Sequence, residues 1–254
     1  MELPSNQQKS NSFSQLMSRY KNTCNKDNNK EIFKPTFIPV TLNSNKAKEY
    51  SANLLTSERD RLNESLVSSH KKLLNNSCLY LPNFLAKQMD TTLFDKLKEE
   101  MKEKKSNIVN WDVHYKLENP QDLKIFEEIV NKVSKALQVK VKATRINYYS
   151  NGNDWKHYHR DSHKMVDGER EDITIGISLG ASRELSFLHV ASNNKFSFPQ
   201  NNGDLFAFTD EVNSDFKHGV PKTRASVGER FSIIIWGVQI IKIKDQKNIP
   251  NCID

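Results

Sequence analysis

Residues 173–179 read Ile-Thr-Ile-Gly-Ile-Ser-Leu, and this strict alternation of apolar with small or polar residues predicts a β-strand. Successive side chains of a strand point to opposite faces, so the apolar residues are expected to face a core. Alternation of residues along 140–148 predicts another strand there. Further strands are predicted at 184–190, 195–198, 205–208 and 230–241, with a tight turn at 201–204.

Two amphipathic helices are predicted before these strands. Asp90 can cap the first, whose apolar stripe comprises Leu93, Phe94, Leu97 and Met101. Asn119 can cap the second, with Pro120 at its first position and a stripe of Phe126, Ile129, Val130, Val133 and Leu137. Helices followed by many short strands indicate an α+β fold with a jelly-roll core and helices packed outside it.

Composition divides the chain into a polar basic segment and a folded domain. Residues 1–76 hold 12 Lys+Arg and 7 Asp+Glu, a net charge of +5, so the rest of the chain carries +2 of the total +7. We predict a largely disordered, low-complexity tail at 1–76 with a helix at 57–74, a folded domain at 77–245 and a C-terminal tail at 246–254. The basic tail could attract nucleic acid or could simply be solvated.

Cysteine usage and hydropathy bear on the compartment. Cys24, Cys78 and Cys252 are widely separated and form no CxxC pair, which favours free thiols in a reducing compartment. No apolar run approaches the length of a membrane helix, and residues 1–10 are polar. We therefore expect a cytoplasmic or nuclear monomer that is neither secreted nor membrane-bound.

His159-Arg160-Asp161 and the distant His218 have the pattern of a metal site. His159 and Asp161 are two positions apart, so on a strand they leave the same face, and His218 can be brought back to them by a sheet. Two histidines and one carboxylate suit Fe(II) and leave coordination positions for a cosubstrate and O2. We expect His157 and His163 to support these ligands or lie at the surface, whereas His70 and His114 have no recognisable context.

Arg230 is the candidate cosubstrate residue, because a buried guanidinium can bind a carboxylate through two parallel hydrogen bonds. Ser232 lies on the same strand face, and Asn147 and Tyr149 share a face of an earlier strand. The alternatives are a surface pair of Arg230 with Glu229 or Asp204, and a Tyr149 that is only packed.

The chain resembles the AlkB-like branch of the Fe(II)/2-oxoglutarate dioxygenases between about Leu79 and Ile241. The matching blocks, in order, are Asn147-Tyr148-Tyr149, His159-Arg160-Asp161, Ser178-Leu179-Gly180-Ala181-Ser182-Arg183, Asn202-Gly203-Asp204-Leu205, Lys217-His218-Gly219-Val220-Pro221-Lys222 and Glu229-Arg230-Phe231-Ser232.

The resemblance implies a double-stranded β-helix in which His159, Asp161 and His218 are the catalytic metal ligands. It also implies that 2-oxoglutarate binds Arg230, assisted by Asn147 and Tyr149, with Ser232 as a further candidate. The cofactors would be Fe(II), 2-oxoglutarate and O2, with ascorbate as a candidate reductant. The implied reaction is oxidative demethylation of N-alkylated bases in DNA or RNA, as in DNA repair, with release of formaldehyde.

Two positions depart from the resemblance. Trp236 stands where many members have a second arginine, and His163 stands where an acidic residue often approaches the base. Trp111 and Tyr115 lie in a predicted loop that could form a lid, or they could be core residues. A hydroxylase of a protein side chain or small molecule, and an inactive binding module with the same fold, therefore remain as alternatives.

Overall fold

The computed structural model describes residues 77–103, 109–111, 114–224 and 226–243. The helices in these ranges are α1 (Thr92–Glu103), α2 (Lys124–Leu137) and α3 (Asp210–Asp215). The strands are β1 (Cys78–Leu81), β2 (Val109–Trp111), β3 (His114–Glu118), β4 (Val139–Tyr149), β5 (Lys156–His159), β6 (Met165–Val166), β7 (Glu169–Arg170), β8 (Ile173–Gly180), β9 (Arg183–His189), β10 (Lys195–Gln200), β11 (Leu205–Thr209), β12 (Phe216–Val220) and β13 (Arg230–Gln239).

Two antiparallel sheets form the domain. The large sheet has the order β1-β11-β8-β13-β4-β3-β2, and the small sheet has the order β10-β9-β12-β5. Strands β6 and β7 form a separate hairpin. This arrangement confirms the predicted α+β jelly roll.

The sheets pack through an aromatic core at one end of the domain. Its members come from both sheets and from α3: Cys78, Tyr80, Phe187, Phe196, Phe198, Phe206, Phe208, Val212 and Phe216. Such rings dominate core energetics because each buries a large apolar surface. Phe187 lies at the centre and stacks on Phe196 with ring centroids 5.0 Å apart.

Helices α1 and α2 lie outside the sheets, as the stripes predicted. Phe94, Leu97 and Met101 are buried on α1. Phe94 packs on Phe231 of β13 with ring centroids 5.2 Å apart, so α1 covers the outer face of the large sheet. Asp90 fulfils its predicted role, since its carboxylate accepts the Thr92 N–H at 3.1 Å.

The predicted start of the second helix is wrong. Helix α2 begins at Lys124, and Asn119 instead has φ +41° and accepts the Thr144 N–H at 2.8 Å. The Glu100 carboxylate of α1 accepts the first N–H groups of α2, those of Lys124 and Ile125. A side chain from another helix thus satisfies donors that local spacing had assigned to Asn119.

The predicted loop between the helices contains strands instead. β2 and β3 pair and extend the large sheet beyond β4. Tyr115 packs on Tyr148 of β4 with ring centroids 6.0 Å apart, and Trp111 is the last residue of β2. The segment is therefore anchored by a backbone ladder as well as by the Tyr115 ring.

The predicted tails, 1–76 and 246–254, and the helix at 57–74 lie outside the described residues. Within the described ranges, no helix is both long enough and apolar enough to span a bilayer.

Candidate active site

Pairing of two strands of the small sheet brings the predicted metal ligands together. His159 of β5 lies directly opposite His218 of β12, and their ring centroids are 4.3 Å apart. Asp161 follows the end of β5 rather than lying on it, yet its carboxylate oxygens are 3.5 Å from His159 Nε2 and 3.8 Å from His218 Nε2. One nitrogen or oxygen from each residue lies within 4.8 Å of the others, so the three could hold one metal ion.

The protonation states of the group suit metal binding. Burial lowers the pKa of His218 to about 3, against the opposing effect of Asp161. Burial alone would raise the pKa of Asp161, but the His218 and His159 charges hold it well below its usual range. At neutral pH the site therefore offers a neutral imidazole and a carboxylate, the forms that coordinate metals.

Contacts with the surrounding chain orient both rings. The His159 Nδ1 lies 2.9 Å from the His157 carbonyl, which leaves Nε2 buried with no hydrogen-bond partner among the described residues. A backbone carbonyl on one ring nitrogen fixes the tautomer and leaves the other to bind a metal. The His218 ring packs against Phe208, with centroids 4.9 Å apart.

The predicted cosubstrate residues line the inner face of the large sheet. Arg230 of β13 pairs with Tyr149 of β4, and Ser232 pairs with Asn147. Directly opposed residues of an antiparallel pair share a face. All four line a small cavity of about 40 Å³ that also contacts His159, Asp161 and His218.

Arg230 is available for an anion. It is only 2% exposed, its guanidinium lies over the Tyr149 ring at 5.3 Å, and its Nε donates to Ser178 Oγ at 2.8 Å. Its Nη1 and the Asn147 Oδ1 are buried without a hydrogen-bond partner in the described part of the chain. Buried polar groups are normally paired, so the unpaired Nη1 donor of Arg230 fits a carboxylate ligand, whereas the Asn147 Oδ1 calls for a hydrogen-bond donor.

Arg230 does not form the alternative surface ion pair with Glu229 or Asp204. Glu229 contacts Lys98 and Tyr148 instead. Asp204 accepts from the Tyr80 hydroxyl at 2.6 Å. Burial lowers the pKa of Arg230 to about 10, so the guanidinium stays charged at neutral pH.

A larger cleft of about 580 Å³ opens beside the metal ligands. Ring faces of His114, Trp155, His157 and Trp236 and the cations of Arg145, Lys156, Arg160 and Lys164 line it. Lys222 lies over the Trp155 ring at 5.4 Å. Glu118, Asp161 and Glu171 also line the cleft, which thus combines aromatic rings with charged groups of both signs.

Trp236, at the position where the resemblance leads one to expect an arginine, packs against a guanidinium of the neighbouring strand. Arg145 of β4 lies 4.8 Å above the Trp236 ring, and Glu118 holds it through a salt bridge of 2.7 Å. Trp236 and Arg230 are an even number of positions apart on β13 and therefore share the inner face.

Two cleft residues carried no recognisable signal in the sequence. His114 stacks on Tyr149 at 5.3 Å with an angle of 9° between the rings, and burial lowers its pKa to about 4. Lys156 lines both cavities, and burial lowers its pKa to about 8, with Arg145 acting in the same direction. His114 and Lys156 reach the cleft only because elements distant in the sequence pack together, so no local pattern could have indicated either residue.

Residues 110–235 match the family described as the 2OG-Fe(II) oxygenase superfamily. No curated protein matches the chain. Among solved structures, a prolyl-4-hydroxylase from Pseudomonas putida is 13% identical, with a TM-score of 0.46 over 66% of this chain and 95% of that one. A prolyl hydroxylase from Trichoplax adhaerens, in complex with a hypoxia inducible factor peptide fragment, is 11% identical, with a TM-score of 0.49 over 72% of this chain and 94% of that one.

Proposed function

We propose that this protein, whose residues 110–235 form a 2OG-Fe(II) oxygenase domain, oxidatively demethylates N-alkylated bases of nucleic acids. It is a dioxygenase whose cofactors are Fe(II), 2-oxoglutarate and O2. Together these convert 2-oxoglutarate to succinate and CO2 while one oxygen atom is inserted into a substrate C–H bond. On an N-methyl group, the resulting hydroxymethyl product releases formaldehyde and leaves an N–H.

We assign the residues by their geometry. His159, Asp161 and His218 hold the iron, which the orphaned His159 Nε2 and the ionised Asp161 support. Arg230 binds the distal carboxylate of 2-oxoglutarate, assisted by a set of neighbours on the same sheet face: Asn147, Tyr149 and Ser232.

The cleft beside the metal ligands is the observation that carries the substrate proposal. An enzyme acting on a base must take it out of the stack and bind it between flat side chains. Trp155 and Trp236 line the cleft with aromatic rings, and the exposed side chains of Arg160 and Lys164 offer cations for a phosphate backbone. The volume of about 580 Å³ lies within the range of small-ligand sites.

An acidic group also lines this cleft. Glu171 is 4% exposed, and one of its carboxylate oxygens accepts the Lys164 N–H at 2.8 Å. A carboxylate in the cleft can accept from an exocyclic amine or face a cationic alkylated ring. Glu171 therefore provides a carboxylate in the cleft, whereas position 163, where the resemblance leads one to expect an acidic residue, holds a histidine.

Single-stranded or locally opened DNA or RNA fits the charge distribution better than duplex DNA. Only +2 of the net charge lies outside residues 1–76, too little for an extended duplex footprint. Four cations do line the cleft: Arg145, Lys156, Arg160 and Lys164. We infer a monomer that acts in a reducing compartment, the cytoplasm or nucleus, in keeping with the three widely separated cysteines Cys24, Cys78 and Cys252.

The test is aerobic incubation of the purified protein with Fe(II) and 2-oxoglutarate against methylated nucleosides, methylated oligonucleotides and proline-containing peptides. Formaldehyde and succinate formed in equal amounts with an oligonucleotide would support the proposal. The matched control is His159→Ala, which keeps the cleft and removes a proposed ligand. Binding should also weaken as salt rises, because phosphate contacts release counterions.

The other outcomes identify the alternatives. A hydroxylated peptide or small molecule without formaldehyde would identify a hydroxylase with the same cofactors. Oligonucleotide binding without turnover of 2-oxoglutarate would identify an inactive binding module. The presence of all three candidate ligands and of Arg230 in one site speaks against that second alternative.

A further inference from the structure

Asp161 is held by contacts that its own strand does not provide. It follows β5, so no ladder partner fixes its backbone. The Asn213 side chain of α3 takes over that role, since its Oδ1 accepts the Asp161 N–H and its Nδ2 donates to the Asp161 carbonyl, each at 2.9 Å. The side chain of Asp161 is held separately: Thr174 donates to it, and the Trp236 side chain also contacts the carboxylate.

Thr174 of β8 connects Asp161 to a buried histidine. Its hydroxyl donates to Asp161 Oδ2 at 2.8 Å, and the same oxygen lies 2.9 Å from His163 Nε2. A hydroxyl has one hydrogen, so Thr174 must accept from His163 while it donates to Asp161. His163 therefore carries its hydrogen on Nε2, and its Nδ1 has no partner among the described residues.

The unusual backbone conformation of His163 supports a functional role for its contact with Thr174. His163 is 4% exposed and has φ +40°, a left-handed conformation that residues other than glycine rarely adopt. Such conformations persist when surrounding contacts over-determine them and are concentrated at functional sites. The turn directs the ring inward to Thr174.

We propose that His163 and Thr174 are positioning residues that together orient the Asp161 carboxylate for the metal. His163 fixes the direction of the Thr174 hydroxyl hydrogen. Thr174 then occupies Oδ2 of Asp161 and leaves Oδ1, the oxygen nearer to His159, for coordination. Hydrogen bonds to a ligating carboxylate raise metal affinity because they hold it in place before the ion binds.

The inference rests on the proposed metal site, and the experiment separates the two. Binding of Mn(II), used as a redox-stable probe, is measured by isothermal titration calorimetry on the full chain. Asp161→Ala must abolish high-affinity binding, and if it does not, the proposed metal site itself is wrong. Thr174→Val keeps the shape but removes the hydroxyl, and we expect about 10- to 100-fold weaker binding. Thr174→Ser retains the hydroxyl and should restore most of the affinity.

A double-mutant cycle tests the role of His163. If His163 acts through Thr174, His163→Leu weakens Mn(II) binding in the natural protein but has no further effect in the Thr174→Val background. His163→Gln supplies a side-chain N–H and should recover part of the affinity. A role in folding alone would lower the melting temperature and leave the Mn(II) dissociation constant unchanged.

The matched control is a histidine–hydroxyl pair on β9 and its following turn. His189 Nδ1 lies 2.8 Å from Ser192 Oγ and also accepts the Ser192 N–H, so this histidine–hydroxyl contact has the imidazole as acceptor. His189→Leu should leave Mn(II) affinity unchanged. Unaltered affinity in Thr174→Val, or independent additive losses from His163→Leu and Thr174→Val, would overturn the proposal.

Discussion

Replacement of Arg230 by lysine is expected to weaken 2-oxoglutarate binding while the fold is retained. Arg230 is 2% exposed, donates from Nε to Ser178, and has a buried Nη1 without a partner in the described residues. Lysine keeps the positive charge but loses the planar fork that matches a carboxylate. Because the guanidinium is charged at neutral pH, the substitution changes geometry rather than charge.

The size of the effect follows from the lost hydrogen bond. A hydrogen bond to a charged group contributes about 1.5–3 kcal/mol, and about 1.4 kcal/mol corresponds to a tenfold change in Kd. Loss of one of two parallel bonds should therefore raise the Kd of 2-oxoglutarate about 10- to 150-fold. Calorimetric titration of Mn(II)-loaded protein with 2-oxoglutarate measures this without turnover.

Arg183→Lys is the matched control. The guanidinium groups of Arg183 and Arg230 lie 5.5 Å and 5.3 Å from the Tyr149 ring. Arg183, however, donates to the backbone carbonyls of Asn151, Asp154 and Pro221. Arg183→Lys should lower the melting temperature and leave 2-oxoglutarate affinity unchanged. Unchanged affinity in Arg230→Lys, or an equal loss in both variants, would refute the assignment.

Four further outcomes are expected. His159→Ala should abolish release of CO2 from labelled 2-oxoglutarate, and residual turnover at the natural rate would exclude His159 as a ligand. Trp155→Ala should raise the KM for a methylated oligonucleotide about 5- to 150-fold, from about 1–3 kcal/mol per stacked base, whereas an unchanged KM would remove it from the substrate site. Gly219→Ala places a Cβ 2.7 Å from a β5 carbonyl, so it should lower both the melting temperature and Mn(II) affinity; normal values of both would contradict this. Burial lowers the pKa of His114 to about 4, so the unfolded chain takes up this proton first and stability falls as pH drops from 6.5 towards 4. His114→Phe keeps the stack on Tyr149 and should remove up to about 3 kcal/mol of this pH-dependent loss, measured as the free energy of unfolding by chemical denaturation. An unaltered pH profile of the free energy of unfolding would argue against this role of His114.

The sequence predicted those parts of the fold that depend on local periodicity. The alternation at 173–179 identified β8, and the stripe with Phe94 and Leu97 identified the buried face of α1. The start of α2 was mispredicted because its first N–H groups bond to Glu100, a residue of another helix. Strands β2 and β3 were missed because they are short and owe their place to pairing with β4.

The candidate site likewise contains residues that the sequence could indicate and residues that it could not. Residue type and spacing were enough to select His159, Asp161, His218 and Arg230 as candidates, although Asp161 lies beyond the end of β5 and not on a strand face as predicted. The contacts that orient Asp161 come from Asn213 and Thr174, and no rule of spacing links residues that meet only after the sheets pack. Residue type and motif spacing therefore indicate the candidate ligands, while the groups that position them emerge from tertiary structure.

The central claim is that two imidazoles and one carboxylate bind a single divalent ion beside a carboxylate-binding arginine. Anomalous diffraction from crystals grown with Mn(II) and 2-oxoglutarate measures this directly. We expect one strong peak bonded to His159, Asp161 and His218, with the far carboxylate of 2-oxoglutarate against Arg230. A Mn(II) peak bonded to other side chains, or 2-oxoglutarate density away from Arg230, would contradict it.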